Sequence, residues 1–185
     1  MPDTTLLETE EKMDKTVLFL SQELNGIRTG KAHPSLVDTI TVDYYGTPTR
    51  LRDISNISTP EPRLIVISPF DPSSLGLIEK AIIAANIGIT PMNDGRLIRI
   101  PIPELSEERR KEMAKMASRT TEEQRIAIRN IRRDANDQIK AQQKSSGITE
   151  DQRNDALEEI QKLTDTHIKK MDQMLAAKET EIMEV

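Results

Sequence analysis

The fold is decided by the stretch Ile128-Arg129-Asn130-Ile131-Arg132-Arg133-Asp134-Ala135-Asn136-Asp137, which lies near the centre of a longer segment, 105–144. Because an α-helix advances about 100° per residue, this segment is predicted to form one long helix with two opposite faces. One face is an apolar seam that should lie against the rest of the fold: Met113, Ala117, Thr120, Gln124, Ile128, Ile131, Ala135 and Ile139.

The other side of this helix carries a row of positive charge, within a sector roughly 120° wide that points away from the seam. We call this row the basic ridge: Lys111, Lys115, Arg125, Arg129, Arg132, Arg133, Lys140 and Lys144. Guanidinium groups that project in one direction suit bidentate contacts with phosphate. Helix spacing alone still favours an ordinary solvated face, because Glu122 lies in the same sector and charged stripes are common on bundle helices.

The positive charge is local. The 185-residue chain has a formal net charge of −5, yet residues 105–145 carry 11 Lys/Arg against 7 Asp/Glu, and the rest carries 15 against 24. One basic stripe on an acidic body would engage phosphate in a single orientation. Aromatic residues make up only 2% of the chain, which argues against stacking on single-stranded bases and favours binding of shape and backbone.

Two further amphipathic helices flank the rest of the chain. The first, at about 3–29, opens with the capping-box spacing of Thr5 and Glu8, and the last opens with a second such spacing at Thr149 and Gln152. Three amphipathic helices of about 25 to 40 residues are not stable alone in water, so they must pack on each other. The expected bundle is a rod of roughly 40 to 60 Å.

Between the first two long helices, the hydrophobic period changes to that of a small α+β unit. Residues 40–45 alternate as a half-buried strand, and the apolar run 64–67 is short enough for a strand covered on both faces. A helix is predicted at 75–85 and a last strand at 97–102. The predicted domains are therefore 1–30 with 105–185 for the bundle, and 31–104 for the inserted unit.

Because the inserted unit is joined to the bundle by two crossings of the chain, near Gly30 and near Pro103, a double hinge is predicted. Two crossings permit rotation about a restricted set of axes. The candidate hinge residues are Thr29, Gly30, Lys31, Pro34, Pro101, Pro103 and Glu104.

Residues for catalysis or cofactor binding are not recognisable. The chain has no cysteine, its two histidines have no motif around them, and its seven glycines form no phosphate-binding loop. We therefore predict no enzyme activity, no catalytic residue, no metal site and no cofactor. A membrane span of about 18 apolar residues and a signal peptide are also missing, so the expected protein is soluble and not exported.

Several strings in the chain, taken in this order, resemble those of the bacterial ribosome recycling factor family, and the resemblance covers essentially the whole chain. They are Ile27-Arg28-Thr29-Gly30-Lys31-Ala32, Tyr44-Tyr45-Gly46-Thr47-Pro48, Glu107-Glu108-Arg109-Arg110-Lys111, Arg129-Asn130-Ile131-Arg132-Arg133-Asp134-Ala135-Asn136-Asp137 and Lys162-Leu163-Thr164-Asp165. The resemblance implies the α+β class: an elongated three-helix bundle bearing an inserted small β/α/β domain, L-shaped overall.

The same resemblance implies binding to the ribosome after termination. Together with elongation factor G, which hydrolyses GTP, the family splits the post-termination complex into subunits and so recycles ribosomes, mRNA and tRNA. It also implies that Arg110, Arg129 and Arg132 contact large-subunit rRNA, and we add Arg125 and Arg133 as candidates because they share the basic ridge. The expected protein is a monomer of the bacterial cytoplasm, with no cofactor of its own and no contact with DNA or membrane.

Three alternatives remain open at the level of sequence. A helical scaffold could bind a protein partner without nucleic acid, and an enzyme could use carboxylates of the α+β unit. An organellar relative is the third, although the N-terminal residues lack an Arg-rich transit segment.

Overall fold

The computed structural model describes residues 2–184, in which five α-helices and six strands form two compact units. One unit contains the residues up to Thr29 and from Glu107 onward, and the other is Gly30–Ser106. The predicted bounds differ from these by one residue at the first crossing and two at the second. The predicted three-helix bundle with an inserted small β domain is confirmed.

The bundle consists of three long helices: α1 Pro2–Asn25, α4 Glu107–Lys144 and α5 Glu150–Met183. The capping box at the start of α5 is confirmed, because Thr149 Oγ1 accepts from the Gln152 amide at 3.2 Å and Gln152 Oε1 accepts from the Thr149 amide at 3.0 Å. The predicted cap at Thr5 is wrong. Helix α1 begins at Pro2, whose fixed φ suits the first helical position, and Thr5 is buried inside the helix.

The bundle core has two clusters of buried side chains. One contains Met13, Leu20, Leu24, Ile27, Ala117, Ile128, Met171, Leu175 and Ile182, and the other contains Ala135, Ile139, Ile148, Ala156 and Ile160. The predicted seam of α4 is thus largely buried, but Thr121 is fully buried where Thr120 was expected. Thr121 follows Ala117 by one helical turn, and its hydroxyl donates to the Ala117 carbonyl at 2.8 Å.

The inserted unit combines a hairpin, a four-stranded antiparallel sheet and a helix. Its elements are β1 Thr41–Tyr44, β2 Thr47–Arg50, α2 Leu51–Ile54, β3 Ser55–Glu61, β4 Leu64–Pro69, α3 Leu75–Ala85, β5 Met92–Asn93 and β6 Ile98–Pro101. Strands β1 and β2 pair with each other, and the sheet has the order β3-β4-β6-β5. Short 3₁₀ turns lie at Pro34–Leu36 and at Pro72–Ser74, and Asp71 caps the second through the Ser73 amide.

The core of the inserted unit gathers buried side chains of β1, β4, β6 and α3. Ile65 and Ile67 of β4 are fully buried, whereas Leu64 and Val66, which alternate with them, are only half-buried. The prediction that this strand is covered on both faces is therefore wrong, because only the face that carries Ile65 and Ile67 is fully buried. No helix within residues 2–184 has the length and apolar character needed to cross a membrane.

Candidate nucleic-acid interface

Helix α4 presents the basic ridge on the side away from its buried residues. Ile128 and Ala135 are 0% and 3% exposed in the bundle core, while Arg129 and Arg133 lie on the exposed side. Arginine and lysine are good helix formers that keep their charged ends in water, so a long basic face is compatible with a continuous helix. The structure thus places four of the five predicted contact arginines along one helix face.

Arg125 differs from the other ridge arginines because two carboxylates hold it. Its side chain is 20% exposed, and its Nε and Nη2 donate to Oδ1 of Asp172 on α5 at 2.9 and 2.5 Å. Its Nη1 donates to Oε2 of Glu122 at 3.0 Å. Burial opposes the charged form, but the hydrogen bonds and charges of Asp172 and Glu122 outweigh it and raise the pKa of Arg125.

Glu122 joins Arg125 to Arg129. Its second oxygen, Oε1, accepts from Nη1 of Arg129 at 3.2 Å. The hydrogen bond from Arg125 is the larger of the two that hold the pKa of Glu122 below its ordinary value, so the carboxylate stays charged. Arg129 remains 47% exposed, and its guanidinium can therefore reach a ligand outside the bundle.

Arg132 has one long contact with α5. Its Nη1 lies 3.4 Å from Oε1 of Gln161, and Nε2 of Gln161 donates to Asp165 at 2.8 Å. A hydrogen bond of 3.4 Å is weak. The partly exposed guanidinium is therefore only loosely held by the bundle.

The side chains of Arg133 and Arg110 have no hydrogen bond or ion pair with any residue from 2 to 184. Arg133 is exposed on the ridge. Arg110 is half-buried near the start of α4, and helix spacing places it roughly 100° around the axis from Arg129. The structure thus separates Arg110 from the arginines of the ridge.

Stacking rings are missing from the ridge. Of the four aromatic side chains in the sequence, Tyr44, Tyr45 and Phe70 lie in the inserted unit and Phe19 lies on α1. A surface that offers guanidinium groups without aromatic platforms can bind phosphates, but it lacks the rings on which successive bases of a single strand stack. Among residues 2–184, no group of His, Asp and Glu side chains is arranged to hold a metal ion.

The candidate hinge residues fall into different local environments. Thr29 is buried in the bundle, and its hydroxyl donates to Glu181 at 3.1 Å. Gly30 has a φ of +77°, and a β-carbon there would lie 3.5 Å from the Leu105 side chain. The two connecting segments therefore run side by side at Gly30 and Leu105.

The remaining hinge candidates, from Lys31 to Glu104, all belong to the inserted unit. Pro34 starts a 3₁₀ turn and Pro101 ends β6. Glu104, one residue after Pro103, forms an ion pair with Arg63. Pro34 and Pro101 thus belong to secondary structure of the inserted unit, and Glu104 is bound to another residue of that unit.

Sequence reasoning missed the carboxylate that matters most for the ridge. The spacing of Glu122 three residues before Arg125 indicates a local pair. Asp172 lies 47 residues away on another helix, and only the antiparallel register of α4 and α5 brings it to Arg125. Counting charges by segment therefore cannot predict the contact between Arg125 and Asp172.

Comparison with known proteins gives consistent matches along the chain. The sequence model of the family described as "Ribosome recycling factor" matches residues 20–183. The ribosome-recycling factor of Oleidesulfovibrio alaskensis is 52% identical over 183 residues, covering 99% of this chain and 100% of that protein. That of Bacillus subtilis is 48% identical over 185 residues and covers 100% of both chains.

Two solved structures have the same fold. The solution structure of a ribosome recycling factor matches with a TM-score of 0.81 and 38% identity, covering 100% of this chain and 98% of that one. The second describes the T. thermophilus ribosome recycling factor and the E. coli elongation factor G bound to the E. coli post-termination complex, and it matches with a TM-score of 0.69, 40% identity and full coverage of both chains. This chain therefore belongs to the ribosome recycling factor family.

Proposed function

We propose that this chain binds the post-termination ribosome and, with elongation factor G, dissociates it into subunits, so that ribosome, mRNA and tRNA can be used again. The family match over residues 20–183 carries this proposal. It is supported by the relative that is 40% identical and is bound to a post-termination complex together with elongation factor G. The family consists of translation factors and not of enzymes. In this proposal elongation factor G hydrolyses the GTP, and this chain acts without a cofactor.

The basic ridge is the surface that we propose for large-subunit rRNA. Arg129, Arg132 and Arg133 are each at least partly exposed, and the guanidinium of each has at most one hydrogen-bond or ion-pair partner within residues 2–184. Such groups can exchange water for phosphate oxygens without breaking a strong internal ion pair. Arg110 is kept as a separate contact near the start of α4, on the strength of the family motif alone.

We also propose that the two connecting segments act as a hinge. Thr29 is fastened to Glu181 in the bundle, and Glu104 is fastened to Arg63 in the inserted unit. In this proposal the backbone turns at Gly30 and at residues 105–106, between these two contacts. Gly30 suits that role because its positive φ strains any residue with a side chain.

Family membership does not support the alternative of a helical scaffold without nucleic acid. The proposal places the protein with the ribosomes of the bacterial cytoplasm, acting as a monomer. A scaffold would tolerate reversal of charge along the basic ridge, whereas a factor anchored on phosphate would not.

Sedimentation of purified post-termination ribosomes tests the function directly. The ribosomes are incubated with this protein, elongation factor G and GTP, and separated on a sucrose gradient. We expect free subunits only when all three additions are present. Subunit release without this protein, or no release with it, would overturn the proposal.

A further inference from the structure

The basic ridge contains one arginine whose guanidinium binds carboxylates of the bundle through all three of its nitrogens. Arg125 binds Asp172 of α5 through Nε and Nη2 and binds Glu122 through Nη1, so each of its three nitrogens has a carboxylate partner. These bonds use three of the five N–H donors of the guanidinium, and because the side chain is only 20% exposed, a phosphate has restricted access to the other two. Arg129 and Arg133 are far less restrained.

The two oxygens of Glu122 bind different arginines. Oε2 accepts from Arg125 at 3.0 Å, and Oε1 accepts from Arg129 at 3.2 Å. A glutamate on an exposed helix face has several rotamers, and a restraint on one oxygen limits where the other can lie. The direction of the Arg129 guanidinium is thus linked through Glu122 and Arg125 to a carboxylate on another helix, Asp172.

We infer that Arg125 is a positioning residue and not an rRNA contact, and that the chain Asp172–Arg125–Glu122 orients Arg129 for its phosphate. This inference rests on the proposed function of the basic ridge. Asp172 fixes Arg125 in the groove between α4 and α5, Arg125 fixes Glu122, and Glu122 holds one edge of Arg129 while the rest of its fork faces solvent. A flexible arginine would lose side-chain entropy on binding, and prior orientation removes part of that loss.

For Asp172→Ala, the inference predicts a change in ribosome affinity opposite in sign to that expected from net charge alone. Asp172→Ala removes a negative charge, so a uniform charge effect would tighten binding to rRNA. If Asp172 acts through Arg125, the same change loosens Arg129, and ribosome affinity should fall about three- to fivefold. Arg125→Ala should produce a similar loss, and the double variant should be no worse than either single variant.

The dependence of affinity on salt separates positioning from direct contact. Affinity for post-termination ribosomes is measured across KCl concentrations at constant magnesium. Arg129→Ala should lower the slope of log affinity against log salt by about 0.7 to 0.9, because one phosphate contact is lost. Arg125→Ala should weaken binding with no change in slope. A slope loss for Arg125→Ala equal to that of Arg129→Ala would overturn the inference and leave the proposed function intact.

A measurement on the free protein keeps the inference testable without the ribosome. The mobility of the Arg129 Nε–H group is followed by ¹⁵N NMR relaxation in the parent, Asp172→Ala and Asp165→Ala proteins. Asp165 lies on the same face of α5 but binds Gln161, so it is the matched control. We expect greater Arg129 mobility only in Asp172→Ala, although Asp172 does not touch Arg129. Equal mobility in all three proteins would overturn the positioning chain even if the basic ridge binds rRNA.

The proposed role of the basic ridge in binding rRNA fails under a different result. If Arg129→Ala and Arg132→Ala both bind with parental affinity and slope, the basic ridge is not the anchor, whatever the NMR result at Arg129. Normal unfolding temperatures in all variants would show that a loss of affinity does not come from a loss of fold.

Discussion

Nε2 of His167 lies 2.9 Å from Oδ1 of Asp14, and this contact joins the buried side of α5 to α1. The other ring nitrogen, Nδ1, lies 2.6 Å from the carbonyl oxygen of Leu163, so both nitrogens of this 4%-exposed side chain have oxygen partners. Asp14→Ala would leave Nε2 unpaired in the bundle. We expect a loss of about 1 kcal/mol in the free energy of unfolding, measured by urea denaturation.

A matched control for that prediction is Glu10→Ala, which removes an exposed carboxylate from the same helix. It should change the free energy of unfolding by less than about 0.5 kcal/mol. In a double-mutant cycle, His167→Ala and Asp14→Ala together should cost less than the sum of the two single changes. Additive losses would show that the contact contributes nothing to stability.

Asp71 should make the stability of the inserted unit depend on pH. Hydrogen bonds from the Ser73 hydroxyl and amide, and then from the Tyr45 hydroxyl, hold the pKa of Asp71 below its ordinary value. The stabilisation is therefore present above the unfolded carboxyl pKa of about 3.9 and is lost as pH falls through the lower folded value. Asp71→Asn should lower the unfolding temperature at pH 7, and its difference from the parent should shrink below about pH 4.

Asp43→Asn is the control for that experiment. Asp43 is an exposed aspartate of β1 whose side chain has no hydrogen bond or ion pair with any residue from 2 to 184. The unfolding temperature of Asp43→Asn should equal that of the parent both at pH 7 and below about pH 4. A difference between the parent and Asp71→Asn that is constant down to pH 2.5 would contradict the assigned cause of the pKa shift.

The hairpin turn between β1 and β2 requires positive φ at both central residues. Tyr45 has a φ of +50° and Gly46 a φ of +83°, as in a type I′ turn. Nothing lies within 4 Å of a β-carbon built on Gly46, so Gly46→Ala introduces only backbone strain. We expect a loss of about 1 kcal/mol in unfolding free energy.

Gly76→Ala is the matched change at an unstrained site. Gly76 lies in α3, also with open space around it, so alanine should stabilise the protein by about 0.5 kcal/mol through helix propensity. Thermal unfolding of both variants gives the comparison. Gly46→Ala with parental stability would show that the turn relaxes to another type.

The long helices could be predicted from sequence because their apolar residues recur with the helical period over many turns. Strand β3 could not. Its residues are mostly polar, and Pro60 lies within it, so only pairing with β4 shows that it is a strand. A hydrophobic pattern in the sequence reveals an element only through its buried side chains, and β3 has few of them.

For the candidate interface too, sequence predicted the features that depend on one helix and missed those that depend on a second helix. Helix spacing places Arg125, Arg129 and Arg133 on one face, and α4 holds them there. Arg125 differs from the others because it is bound to Asp172 on α5. That contact depends on the register between α4 and α5, which is set by packing along their whole length. Sequence reasoning therefore grouped Arg125, whose three guanidinium nitrogens all bind carboxylates, with arginines that remain more accessible.

The accessible arginines make the proposed anchor testable by salt. Arg132→Ala and Arg133→Ala should each lower the slope of log ribosome affinity against log KCl by about 0.7 to 0.9, because each guanidinium releases counterions from one phosphate. Arg119→Ala is the control, since Arg119 is an 83%-exposed arginine of the same helix that pairs with Glu123 and lies roughly 80° from the centre of the basic ridge. It should leave the slope unchanged. If Arg119→Ala lowers the slope as much as Arg132→Ala does, rRNA responds to the net charge of α4 and not to the direction in which the basic ridge points.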